Sequence, residues 1–118
     1  MESLEIIKPD DWHVHFRDKE FLKFIVPETS RYFSRALVMP NLIPPVLTGE
    51  DALNYQKRIK ECIPINNSFK PFMTIYLTDN TDIHDLETSF KNNLVFGAKL
   101  YPSGATTNSD SGVKDIRK

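Results

Sequence analysis

The chain has 118 residues, 15 Lys and Arg against 16 Asp and Glu, and a formal net charge of -1. With 40% hydrophobic and 26% charged residues it has a globular composition, not a disordered, collagen-like or disulfide-framework one. Near-neutral charge and scattered basic residues supply no field to hold nucleic acid. The lone cysteine, Cys62, excludes an internal disulfide and fits a reducing compartment. The acidic start, Met1 to Glu5, lacks an apolar signal core. No apolar run nears the roughly 20 residues of a membrane span. The expected location is the cytoplasm, with no membrane partner.

The predicted elements follow in order. Asp11 to Arg17 alternates polar and apolar residues, the period of a strand. Glu20 to Phe33 carries Phe21, Phe24, Ile25 and Tyr32 at helical spacing, and Pro27 is expected to break or kink that helix. Arg35 to Pro40 is a short apolar strand, ended by a Pro-containing loop from Asn41 to Val46. Thr48, with Asp51 three residues on, predicts a box-like cap on a helix that carries Ala52, Leu53, Gln56 and Ile59 and stops at Pro64. Phe69 to Thr78 is β-branched and aromatic, a strand. Asp82 caps a further helix whose apolar face holds Leu86, Phe90 and Leu94. Val95 to Tyr101 is a fourth strand, and Ser103 to Gly112 is a small, polar loop. Strands alternating with helices imply a parallel α/β sheet with right-handed crossovers. A small open sheet fits, and so does the first half of a (β/α)8 barrel; a whole barrel needs about 250 residues.

Four features carry chemistry. Within His13-Val14-His15-Phe16-Arg17, strand alternation places the two imidazoles on one face about 6.6 Å apart, able to lean toward one divalent ion. The Arg17 guanidinium beside them suits a carboxylate. Two surface histidines alternating by chance is the plain alternative. Lys99 lies in an apolar strand, where burial would yield a neutral amine. Such an amine can form a Schiff base, or add carbon dioxide to give a carbamate that bridges two metals; a strand-end ammonium reaching water is the plain reading. Asn41, just past a strand, is either a substrate donor or a turn residue. The loop Gly104 to Ser109 is either a lid or a connection. His84 is expected to be solvated, Cys62 to be a small packing residue, and Trp12 either to pack beneath the histidines or to be plain core.

The stretches Pro9-Asp10-Asp11-Trp12-His13-Val14-His15-Phe16-Arg17, Val38-Met39-Pro40-Asn41-Leu42-Ile43-Pro44-Pro45, Tyr76-Leu77-Thr78-Asp79, Ala98-Lys99-Leu100-Tyr101-Pro102 and Ala105-Thr106-Thr107-Asn108-Ser109 occur in that order across nearly the whole sequence. Together they resemble the N-terminal part of a dihydroorotase of the bacterial biosynthetic type, in the amidohydrolase superfamily. Ser103-Gly104 departs from the family's loop.

The resemblance implies about four βα units of a (β/α)8 barrel, so that residues 1–118 are the N-terminal portion of one barrel domain truncated at its C-terminal end. It implies two zinc ions: His13 and His15 as ligands of the more buried one, Lys99 as a carbamate bridging both with a hydroxide, and the remaining histidine ligands and catalytic aspartate beyond Lys118. It also implies that His15, Arg17 and Asn41 hold the substrate and that Thr106 and Thr107 lie on a mobile loop touching it. The implied reaction is reversible closure of N-carbamoyl-L-aspartate to dihydroorotate with loss of water, in pyrimidine synthesis. The implied assembly is a homodimer, and the 118 residues alone are expected to be inactive. The competing readings are a non-catalytic structural partner that has lost its ligands, which His13, His15 and Lys99 oppose, and a hydantoinase-like cyclic-amide hydrolase, which Arg17 and Asn41 oppose.

Overall fold

A computed structural model describes residues 1–117. The elements are β1 (Asp10–Val14), α1 (Glu20–Tyr32), β2 (Arg35–Val38), α2 (Gly49–Glu61), β3 (Lys70–Phe72), β4 (Thr74–Leu77), α3 (Ile83–Lys91) and β5 (Gly97–Leu100). All the ladders are parallel: β1 with β2, β2 with β3, and β4 with β5. This is the strand–helix alternation that the sequence pattern implies.

The strand expected over Phe69 to Thr78 is two strands, interrupted at Met73. β3 stays on the ladder of β2, and β4 transfers to β5. Two carbonyls at the change of partner are satisfied: Met73 O accepts from Phe96 N at 2.7 Å, and Val38 O accepts from the Thr74 hydroxyl at 2.6 Å, as buried backbone acceptors require.

Pro27 does not break α1, contrary to expectation: the helix runs through it, with Ser30 Oγ donating to Pro27 O at 2.9 Å. The buried face also differs from the expected one. Leu22, Val26 and Ser30 face inward, while Phe21, Phe24 and Tyr32 are exposed. Ser30 selects that face, because Asn67 Nδ2 donates to both its carbonyl and its hydroxyl oxygen at 3.1 Å.

The caps form as the sequence predicts. Thr48 Oγ1 accepts from Asp51 N at 3.1 Å while Asp51 Oδ2 accepts from Thr48 N at 3.1 Å, satisfying two otherwise free donors. Asp82 Oδ1 accepts from the amides of His84 and Asp85. On α3, however, Phe90 is exposed and Ser89 takes the buried place. The start of α2 leaves room for nothing larger: a Cβ on Gly49 would stand 1.9 Å from Ser89 Oγ.

The core lies between strands and helices and includes Phe16, Leu22, Val26, Ala36, Val38, Ala52, Tyr55 and Ile59, with Cys62 half-buried at its edge. Away from that cluster, Trp12, Phe72 and Phe96 stack on one another with centroids 5.5 to 6.5 Å apart. Trp12 and Phe96 are each about half exposed, and Arg35 covers Trp12 and Phe72 while pairing with Asp10. Trp12 is thus part of an aromatic cluster drawn from β1, β3 and the residue just before β5. Among the described residues no helix is long and apolar enough to cross a membrane.

Candidate active site

The site begins with an irregularity in β1. Asp11 is opposite Ala36, and Val14 is opposite Val38. Between these pairs β1 advances three residues and β2 two, so one extra residue is inserted at Trp12-His13. Such a bulge re-aims a side chain next to a ladder. The strand then ends at Val14, so His15 and Arg17 follow it rather than continuing it. Strict alternation to Arg17, as expected from sequence, is therefore not what gathers these residues. The bulge and the chain turn after Val14 do so.

The outcome is tighter than strand spacing alone would give. His13 Nε2 and His15 Nε2 stand 3.1 Å apart, with ring centroids separated by 5.0 Å. Two imidazole lone pairs at that distance repel unless a proton or a cation lies between them. Burial holds the His15 imidazole below its ordinary pKa, and the charges of Arg17 and His13 push the same way. The Asn41 side chain opposes that shift, yet among the described residues His15 Nδ1 is buried with no hydrogen-bond partner. A neutral ring with its proton on Nδ1 leaves the Nε2 lone pair free toward His13.

Arg17 and Lys19 both adopt left-handed backbone, at φ 57° and 55°, a conformation that costs non-glycine residues energy and persists only when surroundings impose it. Here α2 imposes it. The buried hydroxyl of Tyr55 donates to Arg17 O, and Arg58 grips Asp18 with two hydrogen bonds of 3.0 and 2.9 Å. Burial raises the Tyr55 phenol well above its ordinary value, so it stays a donor.

Asn41 is 2% exposed and is more than the turn residue its sequence context allowed. Its carbonyl oxygen accepts from Arg17 Nη1 at 3.3 Å and from Asn108 Nδ2 at 3.0 Å. Its carboxamide accepts from Tyr101 OH at 3.1 Å and donates to Thr107 O at 2.9 Å. The loop over residues 103–109 is thereby tied to the end of β2. It is also braced internally, Ser109 Oγ donating to Thr106 O at 2.7 Å and accepting from Thr106 N at 2.9 Å.

Lys99 sits opposite Tyr76 in β5 and is half-buried, not fully enclosed. Its ammonium nitrogen lies 5.8 Å from the Tyr101 ring centroid. A cavity of about 340 Å³ collects His13, His15, Arg17, Asn41 and Lys99, with Tyr101, Thr106 and Thr107 on its wall. It opens past the C-terminal ends of β1, β2 and β5, where parallel α/β sheets carry their sites. A larger cavity of about 530 Å³, between residues 78–82 and 110–114, holds neither histidine nor Lys99; size does not locate the chemistry. His84 is exposed, as expected, and does not line this cavity.

The donor set suits a divalent ion. His13 Nε2 and His15 Nε2 converge, His15 Nδ1 is buried without a partner among the described residues, and Lys99 reaches the same cavity. Among the described residues no third His, Cys, Asp or Glu joins them, so the lysine is the remaining side chain that could complete the group. Sequence reasoning missed Tyr55, Tyr101 and Asn108, which hold the cavity residues in place. Tyr101 and Asn108 lie within the stretches that carry the family resemblance, which was the available signal for them; β5 itself ends at Leu100, one residue before Tyr101.

No family model matches the chain. Solved structures share its fold, among them two dihydroorotases and a hydantoinase. A dihydroorotase from Campylobacter jejuni aligns with TM-score 0.82 and 41% identity over 92% of this chain and 31% of its own. A Saccharomyces cerevisiae dihydroorotase in complex with 5-fluoroorotic acid gives 0.81 and 30% over 89% and 28%. An Arthrobacter aurescens L-hydantoinase, at 15% identity and TM-score 0.65, shares the architecture alone. The fold is thus the N-terminal region of an amidohydrolase-type (β/α)8 barrel. Within that class the sequence is similar, along its whole length, to dihydroorotases: 53% identical over 118 residues to those of Sinorhizobium medicae and Rhizobium meliloti. The chain spans about a third, 34%, of the length of these relatives.

Proposed function

We propose that the chain is the N-terminal part of a zinc-dependent dihydroorotase, a cytoplasmic homodimer that interconverts N-carbamoyl-L-aspartate and dihydroorotate for pyrimidine synthesis. The observation that carries this reading is the convergence of His13, His15, Arg17, Asn41 and Lys99 on one cavity, in a chain 53% identical to the N-terminal third of dihydroorotases.

His13 and His15, through their facing Nε2 atoms, and Lys99, as a carbamate, would hold the zinc. Bound zinc supplies Lewis acidity toward the ring amide and lowers the pKa of water. The chain's own residues bind and orient the substrate. The Arg17 guanidinium, its backbone pinned by Tyr55, offers a bidentate grip on the α-carboxylate. The Asn41 carboxamide nitrogen has two protons; one goes to Thr107 O, and the second is available to the same carboxylate. Thr106 and Thr107, on the cavity's wall, would touch the bound substrate. An aspartate outside this chain would carry the proton.

The test is an assay of the full-length, zinc-loaded protein in both directions, beside a panel of uncharged hydantoins. Interconversion of carbamoyl-aspartate and dihydroorotate, with hydantoins poorly used, is expected. Zinc-loaded protein that turns over neither acid refutes the reading, and a preference for hydantoins replaces it with a hydantoinase.

A further inference from the structure

The Asn41 carboxamide is fixed at both ends inside the fold. Its Nδ2 donates to Thr107 O at 2.9 Å, and its Oδ1 accepts from Tyr101 OH at 3.1 Å. A carbonyl oxygen can only accept, so Thr107 O dictates that the nitrogen lies at the loop end. Tyr101, able to donate or accept, must then donate. A carboxylate at that end makes the same demand as Thr107 O. Tyr101 therefore serves as donor to Oδ1 whether the loop carbonyl or an anionic ligand faces Nδ2.

The tyrosine is well held for this task. It is 5% exposed, its ring stacks on the fully buried Tyr76 ring at 5.0 Å and 23°, and Tyr76 OH donates to Asn108 O at 3.2 Å. The two aromatic rings, from β4 and from just past β5, thus fix Asn41 and the loop segment that leans on it. Without the Tyr101 hydroxyl, Oδ1 would lose this donor, and the carboxamide would be held less firmly on that side.

We propose that Tyr101 is a positioning residue for substrate binding: its hydroxyl anchors the Asn41 carboxamide, whose orientation Thr107 O sets, so that Nδ2 stays placed to meet the substrate carboxylate. The inference rests on the functional reading above, in which Asn41 binds that carboxylate. Tyr101 touches no reacting atom.

The experiment is steady-state kinetics of dihydroorotate hydrolysis by full-length, zinc-loaded protein, comparing Tyr101→Phe, Asn41→Ala and the double variant. Loss of one buried hydrogen bond to an anion-binding group predicts that Tyr101→Phe raises KM about five- to tenfold, with kcat within about twofold of the parent. In the Asn41→Ala background the same change should leave KM unaltered, because its target is gone. Tyr101→Met, a second variant without the hydroxyl, should show the same pattern if the phenylalanine variant does not fold. An unchanged KM in a folded Tyr101→Phe or Tyr101→Met protein overturns the inference, as does a KM increase that persists in full when Asn41 is absent. Parent protein that fails to turn over dihydroorotate refutes the functional reading instead, so the two failures are distinguishable.

Discussion

The buried hydroxyl of Tyr55 donates to the carbonyl oxygen of Arg17, joining the middle of α2 to a backbone position at φ 57°. A core residue thereby sets the conformation of a cavity-lining cation 38 positions earlier. Tyr55→Phe leaves the Arg17 carbonyl without its donor and relaxes the turn, so a loss of about 1–2 kcal/mol in unfolding free energy is expected, together with a several-fold higher KM for dihydroorotate. The Tyr55 phenol titrates above its ordinary value because burial disfavours its anion. An unfolded phenol ionises near pH 10. Above that pH the folded state retains a proton that the unfolded state loses, so stability falls as pH rises. The advantage of parent over Tyr55→Phe should accordingly shrink in denaturant titrations above about pH 10. A constant difference would disprove the linkage.

Gly49 is required by its neighbour rather than by its backbone. A Cβ there would lie 1.9 Å from Ser89 Oγ and 2.9 Å from Ser89 Cβ, and Asp85 Oδ2 already accepts from Gly49 N at 2.9 Å. Rotating the serine hydroxyl relieves the first clash and not the second. Gly49→Ala should therefore separate α2 from α3 and cost about 1–3 kcal/mol, the range of core overpacking. Adding Ser89→Gly should recover much of that loss. Urea denaturation of the two variants checks this, and a fully stable Gly49→Ala would show that the helices move apart freely.

Much of this architecture was legible in the sequence, where local chemistry decides. The Thr48–Asp51 box and the Asp82 cap formed as written because their partners lie within one helical turn. The cavity residues were legible by type: His13, His15, Arg17, Asn41 and Lys99 do meet. What escaped was decided by distant partners. The bulge at Trp12-His13 exists only in register against β2, and the break at Met73 only because β4 pairs with a strand more than 20 residues later. The inward face of α1 was set by Asn67 against Ser30, not by the larger aromatics Phe21 and Phe24. The assignment of Asn41 to turn or substrate could not be made locally, because Tyr101 and Thr107 approach it from 60 and 66 positions away.

Arg17 is the cavity's test of substrate charge. Among the described residues its guanidinium bonds only a backbone carbonyl, at 3.3 Å, which leaves most of its donors for a ligand. A charge-assisted pair contributes about 1.5–3 kcal/mol, so Arg17→Met should lower kcat/KM for dihydroorotate by about 10- to 150-fold. Activity on an uncharged cyclic amide, where detectable, should change little. Equal losses on both substrates would mean that the side chain supports the fold rather than the carboxylate.

The ligand set predicts a difference between zinc binding and turnover. His13, His15 and Lys99 are the three candidate ligands in the cavity, and no further His, Cys, Asp or Glu joins them among the described residues. Zinc prefers about four ligands, and a pair of ions needs more. The isolated 118-residue polypeptide should therefore bind at most one zinc, weakly, and turn over no dihydroorotate, whereas the full-length protein should hold two per subunit. His13→Ala in the full-length protein should lower zinc content and activity together. Lys99→Ala should lower both as well, and short carboxylic acids, supplying the missing anion, should restore part of the activity. Metal analysis after gel filtration, paired with the hydrolysis assay, reads each outcome. Measurable turnover by the isolated polypeptide would show that the residues of this chain suffice, and full activity in Lys99→Ala would remove the lysine from the metal site.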